Sequence, residues 1–195
     1  MSDFWLLLQS GDFWLFHLIN RVWTFEGLDQ VAPYWRSGRI WFPAYAVLFC
    51  WLIYRFRVRA LGWLLMLAVT ITTSDQLSSF LIKFWFERVR PCSDGVNHLD
   101  ARLLLEVCPS SFSFTSSHAT NHFAFAAFFY MTLSQHLPIA ARLIWWWAAS
   151  VAYLQVYVGV HFPLDVTAGA LLGTVVGLLW GRCTQRFWPL TSGSP

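Results

Sequence analysis

The sequence predicts an all-α protein, a polytopic bundle of membrane helices. Three observations lead there. First, 57% of the 195 residues are hydrophobic and 19% are aromatic, with 13 Trp and 18 Phe. Second, only 12% are charged, about half the usual share of a soluble domain. Third, the apolar residues gather into five runs of near-spanning length, where a bilayer core asks for roughly 17–25 residues. A soluble domain of this size has too little interior to hide so much apolar side chain. The same composition excludes a disordered chain, a collagen-like repeat and a disulfide miniprotein. The net charge of +3 is spread rather than clustered, which argues against a nucleic-acid partner.

The first run, residues 40–54, is uncharged and short, and Arg39 and Arg55 bracket it. Those side chains can snorkel and lengthen the span at both ends. Residues 60–82 form the second span despite Asp75, 113–137 the third, 143–160 the fourth and 166–181 the fifth. Ahead of them, residues 4–23 mix Trp, Leu and Phe with Gln9, Asp12, His17, Asn20 and Arg21. That mixture suits an amphipathic helix in the interface, with a sixth span as the alternative. A second short surface segment is expected at 28–35. The expected organisation is one membrane-embedded domain, with N-terminal interfacial helices over 1–39, a helical core over 40–181 and a tail over 182–195. The start of the chain carries Asp3 and no basic region, so no cleaved leader is expected.

Arg55, Arg57 and Arg59 crowd the turn between the first two spans, which places that turn in the cytoplasm. Arg142, Arg182 and Arg186 fall on the same side by alternation, and the long loop 88–113 falls on the other. Lys83, Arg88, Arg90 and Arg102 on the outer side run against the charge rule and ask for another explanation, such as a phosphate. Cys92 and Cys108 both belong to the outer loop. A bond between them would close a loop of about 17 residues, worth roughly 3 kcal/mol in the chain-entropy model, and would need an oxidising compartment; two free thiols are the alternative. Gly169, Gly173 and Gly177 recur every four residues in the last span, a spacing that lets helices approach closely.

Charges at a membrane edge are costly and are candidates for function. They form three groups on the outer side. Lys83 and Arg90 stand seven residues apart before Pro91, so on a continuing helix both would face one direction. Lys83 is the only lysine in the chain, and a compact ammonium and a planar guanidinium do different work around an anion. Thr115-Ser116-Ser117-His118 opens the third span, where hydroxyls cap a helix and free N–H groups favour an anion. His161 and Asp165 lie four apart across Pro163, a spacing at which a carboxylate can hold one imidazole nitrogen and leave the other as a nucleophile.

In order, Lys-x6-Arg-Pro, Ser-x-His and His-x3-Asp resemble the type 2 phosphatidic acid phosphatase family, whose pattern is roughly Lys-x6-Arg-Pro, Pro-Ser-Gly-His and Ser-Arg-x5-His-x3-Asp. Lys83 to Pro91 fits the first motif. The second is met at Ser116 and His118, with Thr115 and Ser117 in place of Pro and Gly. Tyr157 to Asp165 looks like the end of the third. The family's Ser-Arg would fall on Leu154 and Gln155. That arginine binds phosphate oxygens in the family, whereas Gln155 brings hydrogen bonds without charge. Weaker phosphate binding, a shifted substrate or low activity is expected, with Arg88 as a possible compensating charge.

The resemblance implies catalysis without metal or cofactor. His161 would attack phosphorus and become a phosphohistidine, Asp165 would orient it, and His118 would protonate the departing oxygen and then activate water. Lys83, Arg90, Ser116, Ser117 and Gln155 would bind the phosphate. It further implies a bacterial inner-membrane phosphatase facing the periplasm. Its expected partners are the bilayer and a lipid phosphate: undecaprenyl diphosphate first, then phosphatidylglycerol phosphate, phosphatidic acid or lipid A. The rival reading, favoured by Gln155, is a non-catalytic binder or transporter of lipid phosphates.

Overall fold

The computed structural model describes residues 3–93 and 100–190, and the described residues are helical with no strand. Helix α1 (Asp3–His17) runs on into a π-helical turn, Leu18–Val22. Helix α2 (Glu26–Trp35) follows, then a 3-10 turn and α3 (Phe42–Phe56). Helix α4 spans Val58–Phe86, α5 Ser117–Leu133, α6 Pro138–Tyr157 and α7 Pro163–Phe187. The five stretches expected to span thus coincide with helices α3 to α7. Pro138 and Pro163 each stand at the first turn of their helix, where a missing N–H costs nothing. They move the starts of α6 and α7 ahead of the first purely apolar residue.

Among the described residues, only α4 and α7 are long and apolar enough on their own to cross a bilayer. Helix α3 has 15 residues, about 22 Å at 1.5 Å per residue, short of a core near 30 Å. The outward faces of the bundle are nevertheless apolar: Val47, Leu61, Leu65, Leu171 and Val175 are all exposed. So is Trp146, whereas its neighbour Trp147 packs edge-on against Trp41.

Helices α5 and α7 are the centre of the bundle and run parallel. A Cβ at Gly169 would lie 2.7 Å from the Ser116 carbonyl oxygen, at Gly173 2.1 Å from that of Thr120, and at Gly177 2.3 Å from that of Ala124. Gly181 continues the row against Met131. The glycine stripe therefore brings two backbones into contact, as small residues do between membrane helices. It also sets both helix N-termini at one end of the bundle. One apolar cluster, around Trp63, Phe128 and Leu133, packs the far half; another, around Phe16, Tyr157 and Phe162, packs the near end.

The N-terminal segment belongs to that near end. Phe13 and Phe16 stack on Phe162, with ring centroids 5.2 and 5.3 Å away. Asn20 donates to the backbone oxygens of Arg102 and Tyr157 at 2.9 and 2.8 Å, while Arg102 reaches Asp29 at 2.6 Å. These bonds tie α1, α2 and the loop before α5 to the end of α6. Gly159 makes the crossing possible: it sits at φ +89°, and a Cβ there would come within 2.4 Å of the Arg102 carbonyl oxygen. Cys92 and Cys108 are disulfide-bonded in the same loop.

Candidate active site

Two helix starts and one helix end supply the site. Lys83 is near the end of α4, after a π-helical stretch from Leu77 to Ile82. The helix stops at Phe86, with Glu87 in a left-handed conformation (φ 41°). Lys83 and Arg90 are consequently not two turns apart on one helix, as their spacing suggests. Arg90 returns along an extended segment, and both end up buried, 8% and 5% exposed.

Arg90 is held by Ser111, its Nε donating to the carbonyl oxygen (2.7 Å) and Nη2 to Oγ (2.9 Å). Its Nη1 bonds the Val160 oxygen at 2.9 Å and faces His161 Nε2 at 3.1 Å. A guanidinium has only donors, so Nε2 accepts and carries the lone pair. The ring proton is then on Nδ1, which faces Ser113 Oγ at 3.4 Å and Asp165 Oδ2 at 3.6 Å. Burial pushes the His161 pKa down to about 4, against the opposing pull of Asp165. The imidazole is thus neutral, with its free electron pair on the side of the cations.

Asp165 is fully buried and saturated. It accepts from Ser113 Oγ, from the Phe162 N–H at 2.8 Å and from Arg88 Nη1 at 2.7 Å. The Phe162 bond caps the start of α7 with a carboxylate, the favoured sign at a helix N-terminus. Arg88 is fixed in turn by Asp12 of α1 at 2.5 Å, and Asp12 accepts the Leu164 N–H at 2.8 Å. Arg88 therefore serves the carboxylate, and the expectation that it compensates for Gln155 is replaced by this role.

Ser116 caps α5 through its Oγ, and its N–H donates to the Asp165 carbonyl oxygen at 3.1 Å. Ser117 Oγ lies 2.7 Å from Ser79 Oγ of α4. Asp75 faces the bundle, accepting from Ser79 at 3.3 Å and from Asn121 at 3.0 Å. His118 projects from the first turn of α5. It is exposed at the surface of this end, and Arg36, His122, His161 and Arg90 are near enough to act on it electrostatically. Gln155 is fully buried, and its Oε1 accepts two bonds from Arg36, at 3.0 and 2.7 Å.

Six cations around the site divide into two sets. Arg21, Arg88 and Arg102 each pair with a carboxylate. Lys83, Arg90 and Arg36 have none within 4 Å among the described residues. The unpaired set surrounds the two imidazoles.

Residues 60–189 match the family model described as the PAP2 superfamily. The chain belongs to this superfamily, the type 2 phosphatidic acid phosphatases. Relatives include a lipid A 4'-phosphatase of Bacteroides thetaiotaomicron, 30% identical over 80% of this chain and 72% of the relative. An undecaprenyl-diphosphatase of Sulfolobus acidocaldarius is 32% identical over 85% of this chain and 74% of its own length. Among solved structures, a PAP2-type phosphatidylglycerolphosphate phosphatase of Bacillus subtilis shares the fold, with a TM-score of 0.72, 24% identity, and coverage of 93% of this chain and 88% of that one. Aquifex aeolicus LpxE superposes with a TM-score of 0.65 at 28% identity, covering 88% of this chain and 94% of that one. This PAP2 chain is accordingly an all-helical member of a membrane family of lipid phosphatases.

Five residues that organise the site carry no motif signal: Arg36, Arg88, Asp12, Ser111 and Ser113. The two serines belong to the hydroxyl-rich run Ser110-Ser111-Phe112-Ser113, whose density was a usable cue. The other three meet their partners across more than 75 positions.

Proposed function

We propose that the protein hydrolyses a lipid phosphate or diphosphate at the outer edge of the membrane through a phosphohistidine on His161. The observation that carries this reading is the orientation of one ring: Nδ1 toward buried Asp165 and Nε2 toward unpaired Arg90. That arrangement makes Nε2 the nucleophile. Its lone pair forms the N–P bond as the bond from phosphorus to the departing oxygen breaks. His118 gives its proton to that oxygen, then takes one from the water that cleaves the N–P bond. Lys83, Arg90, Ser116, Ser117 and the N–H groups at the start of α5 stabilise the charge on the equatorial oxygens.

We take undecaprenyl diphosphate as the first substrate. A cleft of about 770 Å³ between α3, α5 and α6 is walled by Trp35, Trp41, Tyr45, Leu48, Trp51 and Phe125. It suits one long apolar chain. It lies beside the charged cup rather than over it, and Trp35 adjoins Arg36. Phosphatidylglycerol phosphate, phosphatidic acid and lipid A phosphate are the alternatives, the first and the last matching the names of PAP2 relatives. We further place α1 and α2 in the interface, five helices across an inner membrane, and the site on the periplasmic side.

Phosphate release in detergent on these lipids tests the reading. The wild type should release phosphate from undecaprenyl diphosphate fastest. His161→Ala should lose at least about 1,000-fold, and His118→Ala about 100- to 10,000-fold. Turnover that survives His161→Ala would remove the mechanism, and a protein that binds but never hydrolyses would favour a lipid-phosphate binder.

A further inference from the structure

The third motif lacks its arginine, yet the site does not lack a guanidinium at that place. Gln155 occupies the position six residues before His161 and is completely buried. A guanidinium only donates, so the Gln155 amide must turn its oxygen toward Arg36, whose Nε and Nη2 both bond it. Its nitrogen is left without a partner. Arg36 Nε and Nη2 are used in this way, and Nη1 has no hydrogen-bond partner among the described residues. Arg36 has no carboxylate within 4 Å among the described residues. It is electrostatically coupled to His118 and to Arg90, the group that touches His161.

Arg36 reaches this place because α2 is well anchored. Its own N–H closes the helix on the Ala32 oxygen at 3.2 Å. The preceding Trp35 donates from Nε1 to Ser150 Oγ on α6 at 3.0 Å. Asp29 of the same helix accepts from Arg102 and from the Tyr157 hydroxyl. Burial and the neighbouring Arg90 lower the Arg36 pKa to about 10, which still leaves it charged at neutral pH.

We propose that Arg36, delivered by the N-terminal segment, is a second phosphate-binding guanidinium of this enzyme beside Arg90, and that Gln155 is its positioning residue. The charge of the third motif has moved from α6 to the end of α2. Arg36 lies outside the stretch that matches the family model, residues 60–189, so the N-terminal segment becomes part of the site. The inference rests on the phosphatase reading for its consequence in turnover, but not for its consequence in anion binding.

The test measures orthovanadate affinity and kcat/KM for phosphate release in one detergent preparation. Arg36→Gln should weaken vanadate binding and lower kcat/KM by about 10- to 100-fold, the range expected for a lost charge-assisted bond. Arg36→Lys should recover part of this. Gln155→Arg alone should also impair, because it sets two guanidinium groups against each other. The double variant Arg36→Gln with Gln155→Arg should regain at least about tenfold in vanadate affinity over Arg36→Gln. Because the swap also restores the amide–guanidinium bond, folded Arg36→Gln must in addition lose vanadate affinity without a matching drop in its thermal midpoint, which a purely structural tie would not give. Thermal midpoints identify variants that fail to fold; if Arg36→Gln is one, the comparison runs on Arg36→Lys and the double variant. Unchanged vanadate affinity in folded Arg36→Gln, or tighter binding in Gln155→Arg alone, would overturn the inference and leave the phosphatase reading standing. Vanadate binding that depends on Arg36 in a wild type without turnover would do the reverse.

Discussion

At the scale of single residues, the site separates charges that hold the structure from charges left for a ligand. Asp12, Arg88 and Asp165 form a buried relay in which each charge meets its opposite. Removing one member would strand the others, the costly way to break a buried pair. His161 is different, because burial keeps it neutral with a pKa near 4. Between that value and the ordinary 6.5, the unfolded chain takes up a proton that the folded site refuses. The contribution of His161 to stability is therefore fully present above pH 6.5 and declines as the pH falls toward 4. Nitrogen-15 spectra of histidine-labelled protein, assigned with His161→Ala, should show His161 neutral with its proton on Nδ1 from pH 7.5 down to about 5. A resonance of His161 titrating near 6.5 would contradict the orientation on which the nucleophile depends.

At the scale of helices, the distance between α5 and α7 is the decisive variable, since α5 carries His118 and α7 carries Asp165. Gly173 lies at their closest approach, where a Cβ would stand 2.1 Å from the Thr120 oxygen. Gly173→Ala must push backbone against backbone, with an overpacking cost of about 1–3 kcal/mol. It should lower the thermal midpoint by several degrees and reduce kcat/KM with it, because His118 shifts relative to His161. Gly11→Ala in α1, with nothing within 4 Å of the added Cβ, should leave both unchanged. Equal behaviour of the two variants would mean that the glycine row does not set the site. This row, the five long helices and the residues Lys83, Arg90, Ser116, His118, His161 and Asp165 were legible because each rests on spacing within one short stretch. Arg36 and Asp12 were not legible, and Arg88 was marked only as a spare charge, not as the partner of Asp165 and Asp12. An ordinary arginine or aspartate in a polar segment has no periodicity to mark it, and its partner lies far along the chain. Even the spacing of Lys83 and Arg90 misled as to local form, since the left-handed turn at Glu87 has no strong residue signature; Glu is not a residue that favours positive φ.

At the scale of the whole molecule, the two ends of the bundle differ in chemistry. One end gathers the site, the disulfide and the aromatic N-terminal segment. The sequence order puts Arg55, Arg57, Arg59, Arg142, Arg182 and Arg186 at the other, where Gly62 packs on Trp188 and His136 bonds the Leu190 oxygen at 3.0 Å. A bilayer sorts such ends, because arginines close to short turns stay in the cytoplasm and disulfides persist on the oxidising side. Both considerations favour the orientation proposed above, although the cations of the site itself run against the charge rule. The prediction is direct. In a chain with Cys50 and Cys183 replaced by Ala, Glu87→Cys should react with a membrane-impermeant maleimide in intact spheroplasts. Arg186→Cys should react only in inverted vesicles. Labelling of Arg186→Cys from outside would place the site in the cytoplasm, and a lipid phosphate of the inner leaflet would then have to be its substrate. Labelling of Glu87→Cys from outside would support the proposed outward-facing site, in which a neutral His161 meets a lipid phosphate at the pH of the surroundings.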